Sequence, residues 1–285
     1  MKIAVVGGNG FIGREFRKYA LDRGLDVIVI GSDHDALSED GSRVIKNILK
    51  DSAAMVFLAA KRSTAAFSMQ EYIYNVTLAE RYMRFASETF LDNVVIASSC
   101  STYSSLNIPW KENEFQAPLS LYGASKQAID SLALWYNENK GMKIKSLRLA
   151  QVIGMGERKG YLLNTLIDNA MQGKKQVIYG KGTGRRQYIY VKDVCDVILH
   201  CITAEKNNSG IFNIGIKDNI SITELAETVN EVLGNKAGIE KIEDRPEDTK
   251  EYLMDVSKAA KGLQWKPQYD LEAAFMEIRE QWVRA

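Results

Sequence analysis

The apolar positions of this chain fall into short continuous runs separated by longer segments with a helical period. Lys2-Ile3-Ala4-Val5-Val6 is such a run, the pattern of a strand covered on both faces of a parallel sheet. Gly7-Gly8-Asn9-Gly10-Phe11-Ile12-Gly13 follows at once. Ile12, Phe16, Tyr19 and Ala20 then share one stripe of a helix that stops near Gly24. Asp26 to Ile30 reads as the second strand, residues 43–45 as a short third, and Ala54 to Leu58 as the next. The last two lie closer together than a helical crossover requires. Either that helix is reduced to a turn or the short strand is misplaced.

Residues 68–88 form a long helix with two apolar stripes. Met69, Ile73, Val76, Ala79 and Met83 are expected to face the sheet, whereas Tyr74, Leu78, Tyr82 and Phe85 need another partner. Asn75 lies between the stripes, either solvated or bracing a site. Asn93 to Ala97 is a strand, residues 123–138 a helix carrying the extra apolar Leu134 and Trp135, and Lys143 to Leu149 a strand. Gly154 and Gly156 then break the pattern. Strands at 176–179, 188–191, 211–215 and 239–243 alternate with helices at 161–172, 192–203, 222–233 and 271–283; Ser221 and Glu224 form a capping box for the third of these. The alternation predicts an α/β fold with a doubly wound parallel sheet. Residues 1–152, joined by 188–216, make the first domain, and 153–285 a smaller α/β domain.

Composition narrows the chemistry. A net charge of +1 without a basic run argues against nucleic acid as a partner. The opening apolar run is too short for a signal peptide or a membrane span, so no membrane partner is expected. Cys100, Cys195 and Cys201 are odd in number, form no Cys-x-x-Cys, and read as free thiols of a reducing cytoplasm. His34 and His200 are the two histidines, which leaves almost no material for a zinc site or a serine–histidine triad.

Tyrosine chemistry remains. Tyr-x-x-x-Lys occurs at Tyr122/Lys126, Tyr136/Lys140 and Tyr188/Lys192. Tyr188 lies in a strand-like run, and Lys140 precedes Gly141 at a helix end. Tyr122 stands at a helix start, downstream of the hydroxyl-rich strand end Ser98-Ser99-Cys100-Ser101-Thr102-Tyr103. Residues four apart share a helix face, so Lys126 is expected beside the Tyr122 phenol, lowering its pKa from about 10. Tyr122 would exchange a hydroxyl proton while a hydride moves, with Ser99 bonded to the same substrate oxygen.

Gly7-x-x-Gly10-x-x-Gly13 on a strand–turn–helix lets backbone approach a pyrophosphate at the helix N-terminus, so a dinucleotide is the expected cofactor. An acidic residue at the second strand tip commonly holds the adenosine ribose. Here the tip is Gly31-Ser32-Asp33-His34, where Asp33 comes late. Gly31-Ser32 leaves room for a 2′-phosphate, but only Arg14 or Arg43 is on hand to meet one. NAD is the first expectation and NADP the alternative.

Taken in order, the motifs resemble the extended short-chain dehydrogenase/reductase family, the NAD-dependent epimerase/dehydratase group acting on nucleotide sugars. The resemblance spans nearly the whole chain. It rests on the glycine motif, Leu58-Ala59-Ala60, Asn75-Val76, Ser98-Ser99-x-x-x-Tyr103, Tyr122-x-x-x-Lys126, and Leu147-Arg148 before Val152-x-Gly154-x-Gly156. Gly180-x-Gly182-x-x-x-Arg186-x-Tyr188-Ile189-Tyr190-Val191-x-Asp193, Arg245-Pro246-x-Asp248, Asp255-x-Ser257-Lys258 and Trp265-x-Pro267 complete it.

The resemblance implies a Rossmann-type sheet with a smaller substrate-binding domain, and Ser99, Tyr122 and Lys126 as the catalytic set. Gly7, Gly10, Phe11, Ile12, Gly13, Ser32, Asp33, Asn47, Ile48, Leu58, Ala59 and Ala60 are implied at the cofactor. Lys61, Ser101, Gln151, Arg186 and Arg245 are implied at the substrate, the two arginines on a diphosphate, which guanidinium forks suit. It also implies a homodimer through a four-helix bundle of helices 68–88 and 123–138.

Departures from the family pattern sharpen the expectation. Gly31 replaces the acidic tip, Asn47-Ile48 an Asp-Ile pair, and Gln151 a sugar-facing asparagine. Cys100 and Ser101 stand where 4,6-dehydratases carry Asp-Glu, and the Cys and His of 3,5-epimerases are missing. Hydride and proton exchange at one carbinol carbon, C4, is left. The expected activity is a nucleotide-sugar 4-epimerase, with an NADPH-dependent 4-ketoreductase as alternative. A dinucleotide-sensing binding protein without turnover is the rival from another class; the intact Ser99/Tyr122/Lys126 set argues against it.

Overall fold

In the computed structural model, residues 1–31, 34–62, 67–104, 107–158, 160–204 and 208–284 are described. The first half alternates β1 (Lys2–Val6), α1 (Phe11–Leu21), β2 (Asp26–Ile30), α2 (Glu39–Lys50), β3 (Ala54–Phe57), α3 (Met69–Glu88), β4 (Asn93–Ser99), α4 (Leu121–Lys140) and β5 (Lys143–Leu149). After β6 (Gln151–Ile153) come α5 (Leu162–Met171), β7 (Gln176–Tyr179), β8 (Arg185–Arg186), β9 (Tyr188–Tyr190) and α6 (Val191–Thr203). Then β10 (Gly210–Ile214), β11 (Ile220–Ser221), α7 (Ile222–Leu233), β12 (Ile239–Ile242) and α8 (Leu271–Arg284) close the chain.

The main sheet has six parallel strands in the order β10-β5-β4-β3-β1-β2. Alternate side chains of β1 point to opposite layers. Ile3 and Val5 pack with Phe16 and Ala20 of α1 and Val194 and Val197 of α6. Ala4 and Val6 pack with Ile45 and Leu49 of α2, Ala79 and Met83 of α3, and Ile129 of α4. Because β2 and β3 lie on either side of β1, the winding reverses there, and a crevice opens at the carboxyl ends of β1 and β3. β10 brings the chain back to this sheet against β5, after an excursion through small two-stranded pairings.

The strand expected at 43–45 is a helix instead. Ser38 caps α2 by accepting from the Gly41 amide at 3.1 Å, and Glu39 and Asp40 occupy its first turn, where acidic groups are favoured. Arg43-Val44-Ile45 has strand-like composition, but Ile45 and Leu49 are buried one helical turn apart while Val44 is exposed. α2 is the crossover whose absence the reading of the sequence had to explain.

Its presence also changes α3. Tyr82 and Phe85 are fully buried, Tyr82 against Phe57, and Lys46 of α2 reaches over the Phe85 ring and pairs with Glu88. Tyr82 and Phe85 of the second stripe are therefore covered within the chain, while Tyr74 and Leu78 stay half-buried. Met69 and Ile73, expected on the sheet, are half-exposed.

Candidate active site

The glycine turn is fixed by close backbone approach. Gly7 has φ +83°, and a Cβ there would lie 2.7 Å from the Ala59 nitrogen; at Gly13 a Cβ would lie 2.4 Å from the Gly7 carbonyl oxygen. Gly10 caps α1 without a side chain, and no acidic residue follows in the first turn. The helix N-terminus is thus free to hold a phosphate.

A cleft of about 380 Å³ runs from here along Gly31, Asp35 and Leu37 to Ala59, Lys61 and Tyr74. A second, of about 390 Å³, is lined by Ser99, Cys100, Ser101, Tyr122, Lys126, Gln151 and Arg186, and the two share Leu58 and Ala60. Phe11 and Ile12 line the second. The first cleft, beside the glycine turn, is the half expected for a dinucleotide and the second the half expected for a substrate, and the two meet at the tip of β3.

Tyr122 enters the second cleft because α4 begins there. Ser120 caps the helix on the Gly123 amide at 3.0 Å. A Cβ at Gly123 would stand 2.0 Å from the Ser101 carbonyl oxygen, so only glycine lets α4 seat against the 3-10 turn Cys100–Thr102. That seat fixes Tyr122 relative to Ser99. Ser99 Oγ donates to Ser101 Oγ and accepts from the Ser101 amide, both at 3.1 Å.

Lys126 is buried and donates to the Ala97 carbonyl oxygen at 2.7 Å; its Nζ stands 5.8 Å from the centre of the Tyr122 ring. Burial pulls Lys126 down to about 8, opposed by the carboxylate of Asp130 one turn on. Asp130 in turn accepts from Ser146 Oγ at 2.6 Å and from Arg148 Nε at 2.8 Å, all inside the core. Arg148 also donates to Tyr103 Oη at 2.6 Å, and Tyr103 donates to Asn213 Oδ1 at 2.8 Å.

The expected lowering of the Tyr122 phenol by Lys126 is not what the protein alone does. Burial raises it above the ordinary tyrosine value, and the leading opposing charge is Arg62, with Ser99 contributing a hydrogen bond. Desolvation outweighs the cations in a cleft holding protein groups only.

Other expected site residues divide. Ser101, Gln151 and Arg186 line the substrate half. Arg186 is held by Asp248 at 2.7 Å and the Lys250 carbonyl, over the Tyr252 ring. Lys61, expected at the substrate, lines the dinucleotide half with its Nζ 3.9 Å from the centre of Tyr74. Arg245 is exposed over Tyr179 and lines neither half of the cleft. Asn47 and Ile48 sit on α2, Asn47 exposed and Ile48 against the core, away from the cleft; their assignment to the cofactor followed from the misplaced strand. Ser32 and Asp33 lie outside the described residues.

Asn75 is the brace. It is 1% exposed, its Oδ1 accepts from the Lys61 amide at 2.8 Å and its Nδ2 donates to the Lys61 carbonyl at 2.9 Å. Sequence reasoning missed Asp35, Arg62, Glu157, Tyr161 and Tyr252, all lining the cleft. Arg62 had a signal: it follows the β3 tip, where ligands bind in such sheets. Arg14 is tied to the carbonyls of Asn9 and Gly156, and Arg43 to Asp40; neither lines the cleft beside Gly31.

Among the described residues no cluster suits a metal ion, and no helix is long and apolar enough to cross a membrane. The structure resembles UDP-N-acetylglucosamine 4-epimerase from Bacillus cereus, with a TM-score of 0.87, 28% identity, and 99% and 96% of the two chains covered. UDP-glucuronic acid 4-epimerase from Bacillus cereus, in complex with UDP-glucuronic acid and NAD, shares the fold at a TM-score of 0.85 and 24% identity, covering 100% and 99%. UDP-glucose 4-epimerase of Streptococcus mutans is 27% identical over 309 residues, 95% of this chain and 93% of that protein. With the glycine turn, the β3 tip and the Tyr122–Lys126 helix assembled at one sheet edge, and residues 3–215 matching the family as a whole, the chain belongs to the NAD dependent epimerase/dehydratase family.

Proposed function

We propose that this enzyme is an NAD-dependent nucleotide-sugar 4-epimerase. The observation that carries the reading is the placement of Ser99, Tyr122 and Arg186 in one cleft, which shares Leu58 and Ala60 with the cleft beside the glycine turn. Cys100 and Ser101 offer no carboxyl group for expelling water. The 4-epimerase names of the relatives support the same reaction class.

The residues present fit NAD. Gly7, Gly10 and Gly13 would hold its pyrophosphate at α1, and Asp35, bonded to the Leu37 amide at 2.9 Å, stands on the adenosine side near Gly31. That supports NAD over NADP, since among the described residues no arginine lines that side to grip a 2′-phosphate. Bound NAD supplies the hydride acceptor and a positive ring that favours the phenolate. In our reading Ser99 holds the C4 oxygen, Tyr122 takes its proton and later returns it, and Lys126 backs the phenol from inside the sheet. Residues 1–152 with 188–216 would form the dinucleotide domain, supported by the return of β10, and 153–285 the substrate domain.

A 4-epimerase returns its hydride each cycle, so its cofactor stays bound. Protein purified without added cofactor and then denatured should release NAD in near-stoichiometric amount. An empty protein that consumes NADPH only with a 4-keto sugar nucleotide would instead identify a reductase.

Arg186 is our diphosphate ligand. Arg186→Ala should weaken UDP-glucose by roughly 10- to 150-fold, the loss of one charge-assisted hydrogen bond, and leave NAD unchanged in calorimetric titration. Arg245→Ala should do far less; equal effects of the two variants would refute this placement. Pairing of two copies through α3 and α4 stays within the proposal, supported by half-exposed Ile73, Leu134 and Trp135, and a monomer mass in light scattering at micromolar concentration would contradict it.

A further inference from the structure

We propose that Arg62 is a second cation of the reaction centre beside Lys126, a positioning residue that tunes the Tyr122 phenol from the open side of the cleft. The inference rests on the reading of Tyr122 as the proton-transfer group. The guanidinium carbon of Arg62 lies 5.0 Å from the centre of the Tyr122 ring, nearer than the 5.8 Å of Lys126 Nζ. It also lies 5.2 Å from the centre of the Tyr161 ring, so it stands close to two aromatic rings. Its position is built from its backbone. Buried Asn75 clamps both peptide groups of the preceding Lys61, and Arg158 donates to the Arg62 carbonyl oxygen. Phe67 covers the Tyr122 ring edge-on at 5.7 Å, so the site is partly shielded from water.

The charged and titratable groups around the phenol set the balance. From α4 comes Lys126, whose ammonium Asp130 supports. From the 3-10 turn comes Cys100, whose thiol burial pushes up, so it stays neutral near neutral pH. From the loop after β6 come Arg158 and Glu157, the latter raised by burial to about 7 against a hydrogen bond with Asn164 and then the charge of Arg62. Arg62 is the largest attractive charge on the phenolate among these. A positive charge at this range favours the ionised phenol, so its removal moves titration to higher pH.

The test is a tyrosinate absorbance titration at saturating NAD, each protein paired with its own Tyr122→Phe derivative so that the difference reports one phenol. Arg62→Gln should move that midpoint up by about one pH unit. Arg62→Lys, which keeps the charge, should move it much less. The same midpoint in Arg62→Gln as in the parent would overturn the proposal, as would equal shifts in Gln and Lys, which would mark loss of packing rather than of charge. A parent difference spectrum without a titrating tyrosine would overturn the acid–base reading of Tyr122 itself, and the inference with it. Turnover lost in Tyr122→Phe beside an unmoved Arg62→Gln midpoint would remove this inference alone.

Discussion

Tyr122→Phe is expected to bind NAD normally and to lose turnover by at least about 10²-fold, the usual contribution of a placed acid–base group. The ring keeps its edge contact with Phe67 and the helix start that seats it is unchanged, so only the hydroxyl is lost. In the protein alone that hydroxyl is protonated, because burial raises it. It becomes a base only as positive charge gathers around it. Activity should therefore rise with pH through the phenol's titration in the loaded enzyme and be missing at every pH in the variant. Turnover within a few-fold of the parent would remove Tyr122 from the chemistry.

Asp130→Ala should be the most destabilising of the substitutions considered. Its carboxylate is the ion-pair partner of an Arg148 side chain with no exposed surface, and it also accepts from Ser146. Removing one member of a buried pair costs about 3–5 kcal/mol, because the other charge is left uncompensated. Asp130→Asn keeps an acceptor and should cost less. Asp130 also opposes the burial of Lys126, so its loss should take that lysine below about 8 and thin the ammonium at neutral pH. Urea denaturation reads the first effect, and an unmoved midpoint would show that the pair is relaxed by water.

The difference between what the chain announced and what it concealed is physical. The glycine turn, β1, β4 and α4 carry their own signals: a doubly covered apolar run, a tight turn, a capping serine. α2 carried a capping serine too, Ser38, but Val44 and Ile45 are β-branched and its buried stripe amounts to Ile45 and Leu49 within a mainly polar segment, which hid the helix. That single error displaced Asn47 and Ile48 and left Tyr82 and Phe85 without the helix that covers them. Tyr122, Lys126 and Ser99 were legible because local spacing and strand ends dictate where they point. Arg245 was not, since Glu247 and Asp248 beside it are engaged with Thr183 and Arg186 while Arg245 itself turns outward over Tyr179. Nor was the direction of the Tyr122 titration, which depends on how much water the packed cleft excludes.

The hydrogen on C4 decides the central claim. UDP-glucose, UDP-N-acetylglucosamine and UDP-glucuronic acid, each deuterated at C4, would be incubated with the protein as purified, and the products resolved by NMR. The account predicts that one of the three is converted to its C4 epimer without added cofactor and keeps deuterium at C4, because the hydride leaves and returns inside one closed cleft. Deuterium washed out to solvent, or conversion that appears only when NADPH is supplied, would contradict it.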